Sequence, residues 1–145
     1  SIIGYAALKK GLTLKQAEVH GMSQRGGDVQ SHFRLADHEI ASDLIPQGQA
    51  DLIISVEPME SLRYLPWLSK EGWLITNDQP FINIPNYPQA EVLTAELQKQ
   101  PRKVIISADK MAKELGSARS ANMVILGAAS PFIDIEFSAI ESVIA

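Results

Sequence analysis

The chain has 145 residues, 46% apolar and 21% charged, enough for one globular domain with a hydrophobic core. A net charge of -4 speaks against nucleic acid as the main partner, because such a face needs clustered Lys and Arg. The absence of cysteine excludes disulfides, a cysteine nucleophile, thiolate-held zinc and a thiolate-held iron–sulfur cluster on this chain. It also fits a cytoplasmic protein. No apolar run approaches the roughly 20 residues that span a bilayer, and no signal peptide is visible.

The opening SIIGYAALKKG reads as the last turns of a helix. Ile2, Ile3, Ala6, Ala7 and Leu8 form its apolar stripe, and Gly11 stops it. LTLKQAEV has strand character. GMSQRGG carries three glycines in seven residues and cannot form a regular element. DVQSHFRL alternates: Val29, Ser31, Phe33 and Leu35 face one way, Gln30, His32 and Arg34 the other. Residues 39–42 are expected to pair with it through a turn at Asp37 and His38.

The pattern then changes. DLIISV (51–56) is continuously apolar, as expected of a strand covered on both faces. Pro58 opens a helix that runs to about Tyr64. GWLIT (72–76) and KVIIS (103–107) read as two further buried strands. Between them lie the loop NDQPFINIPNYP and a helix carrying Leu93 and Leu97, which ends before Pro101. Residues 109–115, 120–129 and 136 onward read as helices, the last with an apolar face of Phe137, Ile140, Val143 and Ile144.

Strands alternating with helices predict an α/β fold: three layers, α/β/α, around a mixed, mainly parallel sheet of Rossmann-like type, with an antiparallel ribbon at one edge. No repeat or linker divides the chain, so a single domain over 1–145 is expected. Neither helix end at the termini is complete, so we expect further native sequence beyond both.

His20, Gly21, Met22, Ser23, Gln24, Arg25, Gly26 and Gly27 place an imidazole, a hydroxyl, an amide and a guanidinium among glycines. That set can hold a carboxylate, a phosphate or another chain's polar edge. It can equally be a strand connection whose polar groups face water.

KQAEVHGMSQRGGDVQSHFRL, DLIPQGQADLIISVEPMESLRYL and GWLITN, taken in that order, resemble the γ-type domain of pyruvate, ketoisovalerate and indolepyruvate oxidoreductases. The likeness is greatest to the branch that includes the β subunit of indolepyruvate:ferredoxin oxidoreductase. The resemblance implies a non-redox subunit of an enzyme that oxidatively decarboxylates a 2-oxoacid to an acyl-coenzyme A and reduces ferredoxin. Thiamine diphosphate and iron–sulfur clusters are implied on a partner subunit, with coenzyme A as co-substrate. Family members usually begin with a strand and a GxGGxG turn; this sequence lacks that turn, so no role assigned to it carries over.

Several residues keep two readings. Arg25 either contacts substrate, coenzyme A or a catalytic subunit, or braces its own loop and pairs with Glu18. His20 either polarises a carbonyl or caps the glycine turn. Ser23 and Gln24 have no base partner and suit positioning. Glu57 follows a buried strand at its presumed carboxyl end, where ligands gather in open α/β sheets, but a helix N-terminal carboxylate explains it as well. Asn77 and Asp78 share that ambiguity. His32 and Arg34 read as a solvated or subunit-facing surface. Met22, Trp67 and Trp73 read as packing residues. His20, His32 and His38 show no metal-ligand spacing. A stand-alone nucleotide or acyl-coenzyme A binding module, or a purely structural assembly subunit, are the rival functions.

Overall fold

A computed structural model of the chain describes residues 2–20, 29–80, 86–117, 120–133 and 137–144. Its elements are α1 (Ile2–Lys9), β1 (Thr13–His20), β2 (Val29–Ala36), β3 (Ala50–Ser55), α2 (Pro58–Arg63), β4 (Leu68–Asn77), α3 (Ala90–Gln98), β5 (Lys103–Ile106), α4 (Ala108–Glu114), α5 (Ala121–Ala129) and α6 (Phe137–Ile144). Short 3-10 turns, Leu65–Trp67 and Ser130–Phe132, precede β4 and follow α5. The chain divides into two compact units, Ser1–Pro46 with Asp134–Ala145, and Gln47–Ile133.

In the first unit, α1 ends on the expected glycine. Gly11 takes φ 73°, a conformation that costs other residues a Cβ clash. That turn lets the Leu12 N–H donate to the Ala7 carbonyl at 3.0 Å and the Gly11 N–H to that of Leu8 at 3.1 Å. These are the paired bonds of a Schellman cap. The apolar stripe is narrower than expected: Ala6 and Ala7 are fully buried, but Leu8 is 60% exposed. α1 packs against α6, where Ile140 is buried and Ser142 accepts from Lys9 Nζ at 3.3 Å. The side chains of Phe137, Val143 and Ile144 lie outside the described residues.

β1 and β2 pair antiparallel along their whole length, from Thr13↔Ala36 to His20↔Val29. The expected strand at 39–42 does not form. Side chains hold the backbone at its end and just beyond instead. Arg34 donates to the carbonyls of Ser42 and Leu44, and the Leu44 N–H donates to Ser42 Oγ. His32 corrects another expectation: it is not on a solvated face but 8% exposed, accepting from the Ile45 N–H.

In the second unit the strands run parallel in the order β3-β4-β5. Successive residues Leu74 and Ile75 of β4 are both fully buried, so both faces of the central strand are covered. α2 and α3 pack together, as do α4 and α5. α2 contacts β3 and β4, and α5 contacts β3, β4 and β5, so each pair lies against the sheet. The α/β class is therefore as expected, with the antiparallel ribbon forming a sheet of its own among the described residues.

β3 and β5 are less buried than their apolar runs suggested. Ile54 is 38% exposed, Val56 58%, and every residue of β5 is half-buried. Among the described residues each pairs with β4 on one side only. Leu93 and Leu97 are buried on α3 as expected. Trp67 meets Tyr64 edge-on, with ring centroids 5.6 Å apart, and Trp73 lies 4.6 Å from Phe132. Both tryptophans pack, as expected.

Gly72 sits at an irregularity. Ala50 pairs with Leu68 but Leu52 with Trp73, so β4 bulges past β3. A Cβ on Gly72 would stand 2.8 Å from the Ala50 carbonyl oxygen. Only glycine admits that approach.

Candidate functional site

The carboxyl ends of β3, β4 and β5 gather the polar residues of the second unit. In parallel sheets this edge is where ligands collect, because helix N-termini and strand-end loops converge there. Ser55, Glu57 and Asn77 are all buried.

Glu57 follows β3 with extended backbone, φ -147° and ψ 132°, and Pro58 opens α2 behind it. Its Oε2 accepts the Glu60 N–H at 2.8 Å, so the side chain caps α2. Its Oε1 accepts from the Tyr87 hydroxyl in a short hydrogen bond. Ser55 holds the backbone: its Oγ donates to the Glu57 carbonyl at 2.6 Å and accepts the Glu57 N–H at 3.2 Å. Burial, and then the Glu57 carboxylate, push the Tyr87 phenol above the usual tyrosine range. The helix-terminal reading of Glu57 is thus realised in full.

Asn77 ends β4 and ties three elements together. Its Nδ2 donates to the Val56 carbonyl at 3.2 Å and to Asp109 Oδ2 at 2.8 Å. Its Oδ1 accepts the Ala108 N–H, the first of α4, at 3.0 Å. Asp78 accepts from the Ser107 hydroxyl in a short hydrogen bond, and its N–H donates to the Ile106 carbonyl at 2.9 Å. The rim is a cross-linked frame: its carboxylates accept hydrogen bonds and stand beside no paired base and nucleophile among the described residues.

Tyr87, Ser55, Ser107 and Asp109 belong to this frame and were not singled out from the sequence. Ser55 and Ser107 end apolar runs, a recognisable position. Tyr87 lies in a loop of Asn and Pro with no periodic signal.

The glycine-rich segment is bracketed by the ribbon. His20 is the last residue of β1 and pairs with Val29, the first of β2. Gly21, Met22, Ser23, Gln24, Arg25, Gly26 and Gly27, with the His20 side chain, lie outside the described residues. Elsewhere on the first unit, His38 lies 3.0 Å from Asp37 at the surface. A hydrogen bond from His38 leads the causes that hold the Asp37 carboxyl below its usual range. Among the described residues no three His, Asp or Glu side chains form a group able to hold a metal ion. With no cysteine, the chain offers no thiolate to an iron–sulfur cluster. No described helix is long and apolar enough to cross a membrane.

Comparison with known proteins agrees with this architecture. The chain is 38% identical to the indolepyruvate oxidoreductase subunit IorB of Archaeoglobus fulgidus, over 87% of this chain and 65% of that protein. It is 35% identical to the subunit of the same name from Pyrococcus horikoshii, over 88% and 67% respectively. The chain thus spans about two thirds of the length of these curated relatives. A solved 2-oxoglutarate:ferredoxin oxidoreductase from Magnetococcus marinus, with 2-oxoglutarate, coenzyme A and succinyl-CoA bound, shares the fold. Its TM-score is 0.67 at 18% identity, over 98% of this chain and 23% of that one. The family model described as pyruvate ferredoxin/flavodoxin oxidoreductase matches residues 1–145, and the chain belongs to that family.

Proposed function

We propose that this chain is part of a non-redox subunit of a 2-oxoacid:ferredoxin oxidoreductase of the indolepyruvate type. The enzyme would oxidatively decarboxylate a 2-oxoacid to an acyl-coenzyme A and pass the electrons to ferredoxin, in the cytoplasm. The observation that carries this reading is the family match over the whole chain, joined to 38% identity with an indolepyruvate oxidoreductase subunit. In this reading both units belong to one γ-type domain.

Thiamine diphosphate and iron–sulfur clusters, held by a partner subunit, would supply carbanion stabilisation and electron removal. This chain would complete the active-site wall. Arg25 presents a planar fork suited to a carboxylate or phosphate, with His20, Ser23 and Gln24 supplying hydrogen bonds. Gly21, Gly26 and Gly27 would permit close approach, with Met22 as an apolar contact between them. These residues would face substrate, coenzyme A or the catalytic subunit. Glu57, fixed by α2 and Tyr87 at the rim of the second unit, would also face substrate, coenzyme A or the catalytic subunit.

The test is to purify the full-length protein alone and with its catalytic partner, then measure 2-oxoacid-dependent dye reduction. Activity is expected only in the pair; turnover by the isolated protein would overturn the subunit reading. Tight coenzyme A binding by the isolated protein in calorimetry, with no effect of the partner on it, would favour a stand-alone binding module instead.

A further inference from the structure

Two alternate residues of β2 grip the segment that leads out of the first unit. Arg34 Nη1 donates to the carbonyls of Ser42 at 3.0 Å and Leu44 at 3.2 Å. His32 Nδ1 accepts the Ile45 N–H at 3.0 Å. Pro46 follows and closes this part of the unit, and Gln47 begins the second.

The two contacts differ in how they depend on protons. A guanidinium keeps its charge at any ordinary pH. An imidazole does not, and here its tautomer is dictated. A backbone N–H can only donate, so Nδ1 must carry the lone pair. Nε2 then carries the hydrogen, which it donates to Gln30 Oε1 at 2.9 Å. The neutral ring satisfies both partners. A protonated ring would point an N–H at the Ile45 N–H, while its bond to Gln30 would survive.

We propose that His32 is a proton-sensitive latch on residues 42–45 of the first unit: neutral, it holds Ile45; protonated, it releases it. The sign follows from the geometry. The contact is present at higher pH and is lost as pH falls through the range in which imidazoles take up a proton.

The charged groups around the ring do not reverse this sign. Arg34 lies on the same face of β2, and Lys15 is paired with it on β1. Both are cations. The segment itself carries Asp37, His38, Glu39 and Asp43, all exposed, with Asp37 already bonded to His38. α1, packed on β1, brings Lys9, which reaches Ser142, and Lys10.

The test is amide hydrogen exchange at Ile45 in the full-length protein, expressed as a protection factor so that the intrinsic effect of pH cancels. The His32 ring protons are followed by NMR in the same samples. Between about pH 8 and about pH 5, protection at Ile45 is expected to fall about tenfold as the ring protonates, the worth of one such bond. His32→Asn keeps an acceptor near the Nδ1 position and cannot titrate, so its protection should stay flat. Unchanged protection while the ring protonates would overturn the latch. So would a ring that stays neutral throughout, or an equal fall in His32→Asn.

Discussion

Tyr87 and Glu57 stand 30 residues apart in sequence and meet in one hydrogen bond at the sheet's rim. Tyr87→Phe would take that donor from a buried carboxylate while leaving the helix cap in place. We expect a loss of about 1–3 kcal/mol in denaturant unfolding. The pair also has a pH signature. A phenol ionising above its ordinary range stabilises the fold fully below about pH 10, and that contribution is lost as pH rises further. Tyr87 should titrate late in an alkaline absorbance scan, and its contribution to the late phase should be lost in Tyr87→Phe. A scan unchanged by the substitution would refute the assignment. Asn77→Ala removes three hydrogen bonds at once and strands the Ala108 N–H, so a loss of about 3 kcal/mol is expected in the same assay. The cap at Glu57 was legible in the sequence, because Pro58 at a first helical position marks the residue before it. The Tyr87 bond was not: no local pattern joins a loop tyrosine to a carboxylate so far upstream. His32 was misread for a related reason. Alternation separates the two faces of a strand, but it does not say which face a later segment will cover.

At the level of elements, order and type were readable from periodicity, and most boundaries differ by a residue or two. What escaped was the neighbour. DLIISV and KVIIS have the continuous apolar content of interior strands, yet among the described residues each pairs on one side only. A run of apolar residues records the demand for burial; how much is met depends on strands elsewhere in the chain. Residues 42–45 show the converse, since Arg34 and His32 satisfy backbone groups there without a ladder. The bulge at Gly72 is the element most exposed to a single change. Gly72→Ala would press a methyl group on the Ala50 carbonyl and on Leu68, and a cost of about 1–3 kcal/mol is expected. Thermal unfolding of the variant would show it; an unchanged midpoint would mean that β4 yields there freely.

For the whole molecule, the string HGMSQRGG in its context marks the family, and the family match over residues 1–145 agrees. The chemistry of that string was not legible in the same way, since its groups suit anion binding and plain strand connection alike. Function in the assembled enzyme separates the two. Arg25→Ala is expected to lower 2-oxoacid-dependent turnover of the complex at least about tenfold, the scale of losing a charge-assisted contact. Unchanged turnover would make the chain a structural member of the assembly.

The bulge at Gly72 reaches beyond its own stability. The facing runs Leu52–Ile54 and Trp73–Ile75 are apolar at every position, so alternation alone leaves their alignment undetermined. The close approach of Gly72 to Ala50 singles out one alignment, because any other would bring a side chain to the place where none fits. A residue without a side chain thus chooses which of several nearly equivalent sheets the chain builds, and with it which residues arrive together at the rim.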